Sequence, residues 1–303
     1  MQRVDDEQRL GSSGMKDLVK DEVYEMNTLK TMVLMALLAG LMVAVGGMAG
    51  GPRWATVMLV VSLAIDGFAY WFSAPLVLRA YKAQDVTPAE APELCAIVRA
   101  LAERAGLPMP RVAIIKSDVP NAFATGRDPE HAVVAVTTAL METLDRDELA
   151  GVLAHELTHV KSRDILTSSI AAAMASVISW AAQMAFFFGG RDDDDDSTSL
   201  AVAFVAPVAA TLIQLAVSRS REYAADEGSG ELTGNPLALA RALAKLEDSA
   251  RHTRPPEDAT PATAHMFIVN PFAGMKSKIA RLYATHPSTE ERIHRLEAQA
   301  RNM

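Results

Sequence analysis

Four long apolar stretches interrupt an otherwise polar chain. They run from about Met32 to Met48, Trp54 to Leu78, Ile165 to Phe188 and Leu200 to Val217. A helix needs about 20 apolar residues to cross a hydrocarbon core, so each stretch reads as a transmembrane helix. Ala49-Gly50-Gly51-Pro52-Arg53 joins the first two as a turn. Gly189-Gly190 and the run from Asp192 to Asp196 lie between the other two, a solvated hairpin tip by composition. Asp66 falls near the middle of the second stretch, and an acid at that depth is a candidate for function by default. The plainer reading is that it faces other helices and bonds a polar neighbour such as Gln183 or Gln214.

The polar segments carry a mixture of periods. Leu94, Ile97, Val98, Leu101 and Ala105 repeat with helical spacing, behind Thr87 as N-cap and Pro88 at the first helical position. Gly106 ends that helix. Arg111–Ile115 reads as a strand, Asn121–Gly126 as a loop, and about His131 to Thr137 as a second strand. Asp145 and Glu148 have the spacing of a capping box and open the next helix. Asn235-Pro236 begins another, with Leu237, Leu239, Leu243 and Leu246 on one side. Ser288, with Glu291 three residues on, starts the last. Residues 1–25 are polar, contain the linker-like Gly11-Ser12-Ser13-Gly14, and read as a disordered extension or a native tail. The organisation expected is therefore an extension (1–25), a transmembrane pair (26–78), a first soluble part (79–164), a transmembrane hairpin (165–217) and a second soluble part (218–303).

Composition sharpens this picture. Of 303 residues half are hydrophobic, and the net charge is -8. There is no large basic patch, which argues against nucleic acid as a partner. The lone Cys95 excludes an internal disulfide framework, and its apolar helical setting suits a small core residue. Lys30, Arg79, Lys82, Lys161, Arg163, Arg219 and Arg221 flank the span ends nearest the N-terminus and the soluble parts, while the hairpin tips hold Arg53 and Arg191. By the positive-inside rule the N-terminus and both soluble parts are cytoplasmic.

The strongest chemical signal is His155-Glu156-Leu157-Thr158-His159. On a helix, residues four apart share a face, so His155 and His159 can grip one zinc ion, with Glu156 placed to work on a water the ion activates. A catalytic zinc takes three protein ligands and keeps one position open. Glu222 is the candidate for the third. His159 lies six residues before Ile165, about 9 Å of helix rise, and Glu222 five residues after Val217, about 7.5 Å. An antiparallel hairpin between the last two apolar stretches would bring both out at nearly one height, about 10 Å above the bilayer. Asp226, one turn after Glu222, could bond a ligand histidine from behind. The alternative for Glu222 is a surface acid pairing with Arg219 or Arg221. His131, His252, His265 and His294 read as surface or core residues.

Taken together, Asn121-Ala122-Phe123-Ala124, His155-Glu156-Leu157-Thr158-His159, Arg221-Glu222-Tyr223-Ala224-Ala225-Asp226 and Thr285-His286-Pro287 resemble the HtpX-type membrane zinc metalloproteases, relatives of the CAAX prenyl proteases. The resemblance covers about residues 26–303, and the ligand layout is also similar to that of thermolysin-like peptidases. It implies a mainly α membrane protein: four transmembrane helices and a cytoplasmic α+β, zincin-like protease domain with a small sheet. It further implies one Zn2+ per chain, polypeptide substrates that include damaged or misfolded membrane proteins, a role in stress response, and residence in a bacterial inner membrane. His155, His159 and Glu222 would hold the metal and Glu156 would be the general base. Asn121 would lie at an edge that receives substrate as a strand, although it reads equally as a turn residue. His286 would sit near the oxyanion, although it reads equally as a helix-start residue. The competing class is a catalytically silent, zinc-stabilised membrane scaffold.

Overall fold

In the computed structural model, residues 2–167, 170, 219–252, 266–270 and 287–303 are described. The third apolar stretch beyond its first residues, the fourth, the acidic run and His286 lie outside them. A helical segment, α1, spans Gln2–Ala80. It is broken at Gly50 and Gly51, where Gly51 takes φ 72, a left-handed value that glycine adopts without a Cβ penalty. Pro52 then starts the second limb, where its missing N–H costs nothing. The expected turn thus stands. The expected disorder of residues 1–25 does not: helix runs back to Gln2, through a stretch dense in the good helix formers Glu, Gln, Arg, Lys and Leu.

Four spans were expected. Among the described residues one helix, Gly50–Ala80, is long and apolar enough to cross a membrane. The first apolar stretch contributes the shorter apolar segment Met35–Ala44. Ser62, Asp66, Ala69, Ser73 and Val77 form the buried stripe of the Gly50–Ala80 limb, while Phe68, Trp71, Phe72 and Leu76 are exposed.

Beyond α1 come β1 (Gln84–Asp85), α2 (Pro92–Ala105), β2 (Arg111–Ile115), β3 (Ala122–Thr125), β4 (Val133–Thr137), α3 (Thr138–Thr143) and α4 (Arg146–Lys161). Then follow α5 (Arg219–Thr233), α6 (Pro236–His252) and α7 (Thr289–Asn302). Helix α2 starts four residues later than expected. Ala91 precedes Pro92 and is held out of the helical region, at φ -136 and ψ 68, by the proline ring. Thr87 and Glu90 instead close a turn of their own, with the Thr87 N–H donating to Glu90 Oε2 at 2.8 Å. Gly106 caps α2 in the left-handed region as expected. The stretch at 129–131 is a short 3-10 turn, so the second expected strand begins at Val133.

The sheet has the order β1-β2-β4-β3. β2 and β4 are parallel; β1 and β3 run antiparallel to them. β3 was expected to be loop. Four residues between Pro120-Asn121 and Gly126 carry no strand signal of their own, and only pairing with β4 makes them one. One face of the sheet (Val112, Val134, Val136, Ala122) packs on α2 and α4. The other (Ala113, Ile115, Phe123, Val133, Ala135) packs on Val77 and Leu78 at the end of α1. The Tyr81 and Phe123 rings meet at 5.3 Å, and Arg127 lies 4.6 Å over the Trp71 ring. The edge strand is thereby fastened to the membrane-length helix.

Candidate active site

Helix α4 carries the His-Glu-x-x-His stretch, and its start is well determined. Asp145 accepts from the Glu148 N–H at 2.9 Å while Glu148 accepts from the Asp145 N–H at 3.0 Å, the reciprocal capping box that the sequence suggested. Asp147 and Glu148 add negative charge in the first turn, where the helix dipole favours it. From there the helix is buried almost throughout, His155 and Glu156 included.

Helix α5 lies across α4 and brings Glu222 to the two histidines. His155 Nε2 and His159 Nε2 are 3.2 Å apart. Glu222 Oε2 is 3.7 Å from the first and Glu222 Oε1 is 3.6 Å from the second. The edges of a tetrahedron around zinc with ligand bonds near 2 Å are about 3.3 Å. Two imidazole nitrogens and a carboxylate oxygen at these separations therefore fit the metal that the resemblance implies. Glu222 is 7% exposed, too buried for the surface acid that was the alternative. Glu156 is held from the other side: the Ala124 N–H on β3 donates to its Oε2 at 2.9 Å. Burial, the largest influence, pushes its carboxyl above the usual range, against the pull of His155 and His159.

Each histidine is backed by a carboxylate, and each carboxylate by an arginine. His155 Nδ1 lies 3.0 Å from Asp226 Oδ1, at ion-pair distance, though it makes no in-line hydrogen bond among the described residues. Asp226 receives Arg292 on both oxygens, Nε at 2.8 Å and Nη2 at 2.7 Å. His159 Nδ1 lies 3.3 Å from Asp164 Oδ2, and Arg221 Nη1 donates to Asp164 Oδ1 at 3.2 Å. Burial disfavours a charged His159, but its hydrogen bond with Asp164 and the charges of Glu222, Asp164 and Glu156 outweigh it and push its pKa up to about 9. Burial likewise works against ionised Asp226, and Arg292 overrides it and holds the carboxyl low.

The sequence reading missed Asp164, Arg221 and Arg292. Asp164 was legible only as an acid five residues past His159, and Arg221 and Arg292 reach their carboxylates across 57 and 66 residues. Asn121 stands at the head of β3. It is 4% exposed, its Nδ2 donates to the Met266 carbonyl at 3.1 Å, and its Oδ1 accepts from the Ile268 N–H at 3.2 Å. Both ends of its amide tie the 266–270 segment to the start of β3. His286 lies outside the described residues.

The sequence model of peptidase family M48 matches residues 88–300. A "Protease HtpX homolog" of Thermococcus kodakarensis is 54% identical over 283 residues, covering 91% of this chain and 97% of the relative. One of Salinibacter ruber is 52% identical over 275 residues, covering 91% and 99%. Among solved structures, S. mikatae Ste24p matches with a TM-score of 0.48 and 20% identity, covering 91% of this chain and 66% of that one.

Proposed function

The chain belongs to peptidase family M48, and from that premise we propose that it is a membrane-embedded, zinc-dependent endopeptidase acting on damaged or misfolded membrane proteins. The observation that carries the reading is the convergence of His155, His159 and Glu222, whose ligand atoms all lie within 4.8 Å of one another, beside a buried Glu156. Zinc, when bound, supplies Lewis acidity that activates a water and polarises a peptide carbonyl.

The remaining work falls to the chain's own groups. β3 is one of the two edges of the sheet. Thr137 N–H donates to the Asn121 carbonyl, so Asn121 and Phe123 turn their backbone groups to β4 and those of Ala122 and Ala124 face away from it, the Ala124 N–H being taken by Glu156. A substrate adding there as a strand would be aligned by backbone hydrogen bonds. Glu156, fixed to the same strand through Ala124, would meet the scissile bond at a set position. As general base it takes the proton of the attacking water and passes it to the departing amine. Asp226 and Asp164 orient the two histidines.

We place the protein in a bacterial cytoplasmic membrane with this site on the cytoplasmic side, following the distribution of Lys and Arg. A silent zinc scaffold has no use for a buried glutamate beside three candidate ligands, so the enzyme reading is preferred. Glu156→Gln tests it. The variant is expected to retain zinc and to lose cleavage of an unstructured protein such as casein by 10²-fold or more, as loss of a general base does. A chelator should abolish wild-type cleavage. Undiminished cleavage by Glu156→Gln would rule out the mechanism.

A further inference from the structure

We propose that Arg292, on the C-terminal helix α7, is a positioning residue for the metal site, acting through Asp226 on His155. The inference rests on the reading of that site as a metal centre. Arg292 is 1% exposed on a helix whose other buried residue is Leu296, one turn away on the same face. Its fork meets both Asp226 oxygens, and its remaining nitrogen, Nη1, donates to the Ile268 carbonyl at 2.8 Å. Bidentate pairing fixes a carboxylate in rotation as well as in position. The oxygen so fixed, Oδ1, is the one 3.0 Å from His155 Nδ1. The carboxylate 3.0 Å behind His155 Nδ1 thus cannot turn, and with a metal bound it would hold the ring that aims Nε2 at the ion.

Ile268 extends the bracing. Its carbonyl is held by Arg292 and its N–H by Asn121 at the head of β3. Arg292 therefore stands at a junction between the histidine's support and the strand edge. A lysine could neutralise Asp226 but could not make the fork and the carbonyl bond together. If the pair served only to hold helices together, any replacement that folds would leave metal binding unchanged.

The test uses the full chain in detergent, with Zn2+ affinity from chelator competition and the visible d–d bands of the Co2+-loaded protein. Arg292→Lys is expected to fold, to bind Zn2+ 10- to 100-fold more weakly, and to show altered cobalt bands, as losses behind a metal ligand do. Arg295→Ala, one turn on at the exposed face, should match wild type. The paired replacement Arg292→Met with Asp226→Leu leaves no lone buried charge and is the version built to fold if lysine does not. It should weaken Zn2+ at least as much. Wild-type affinity and spectrum in either folded variant would overturn the inference while leaving the metal centre standing. A wild-type chain that binds neither metal would sink the reading of the centre itself.

Discussion

Asp145 shows how much one side chain at the right place contributes. The Glu148 N–H, the largest influence, holds its carboxyl below the ordinary value of 3.8. A group whose folded pKa is depressed stabilises above its unfolded pKa and loses that contribution as pH falls through the folded value. Asp145→Asn keeps a capping oxygen but has no charge. The variant should therefore melt below wild type at pH 7, with the gap closing as pH drops below about 3.8. Melting temperatures from pH 7 to pH 3 measure this, and a gap independent of pH would contradict it. Asp145 was readable from sequence because its partner is three residues away. Arg292 was not, because nothing local marks which arginine of a polar helix will be buried against Asp226.

Where elements cross, glycine decides the spacing. Gly151 lies in α4 where α6 passes, and an added Cβ would sit 2.9 Å from Leu239 N and 3.1 Å from Leu239 Cα. Those are backbone atoms that cannot swing aside. The Gly151 carbonyl also accepts from the buried Ser229 Oγ of α5 at 2.7 Å, so three helices meet at this point. Gly151→Ala should cost about 1–3 kcal/mol by overpacking, despite the better helix propensity of alanine. Denaturation in mild detergent would measure it, and a stabilised variant would show that α6 can move away. At this scale the helices with local signals stood out in the sequence. Gly106, the Asp145–Glu148 box and Ser288 each mark an end by chemistry within four residues. β3 did not, since a four-residue strand exists only through its pairing with β4, and the start of α2 moved because Pro92 excludes Ala91 from the helix.

For the whole molecule, the sheet is clamped between α4 and the end of α1, which fixes the height of the edge strand relative to the membrane-length helix. The proposed cytoplasmic placement of the site would put the Gly50–Gly51 turn on the far side of the bilayer. Cys95 is 2% exposed and should not react, so single cysteines can report topology. Arg53→Cys should be labelled by an impermeant maleimide in intact spheroplasts, and Gln84→Cys only after permeabilisation. The reverse pattern would place the site outside. Motif spacing, hydrophobic period and basic flanks depend on neighbours in the chain, and from them the sequence determined a membrane-embedded reading, the His155–Glu156–His159 helix and the candidacy of Glu222. What only the tertiary structure decided are the contacts between distant segments: Ala124 on Glu156, Arg221 on Asp164, and Arg292 on Asp226. A buried charge or an edge amide finds its partner only when the packing of separate elements brings them together, and local pattern does not encode that geometry.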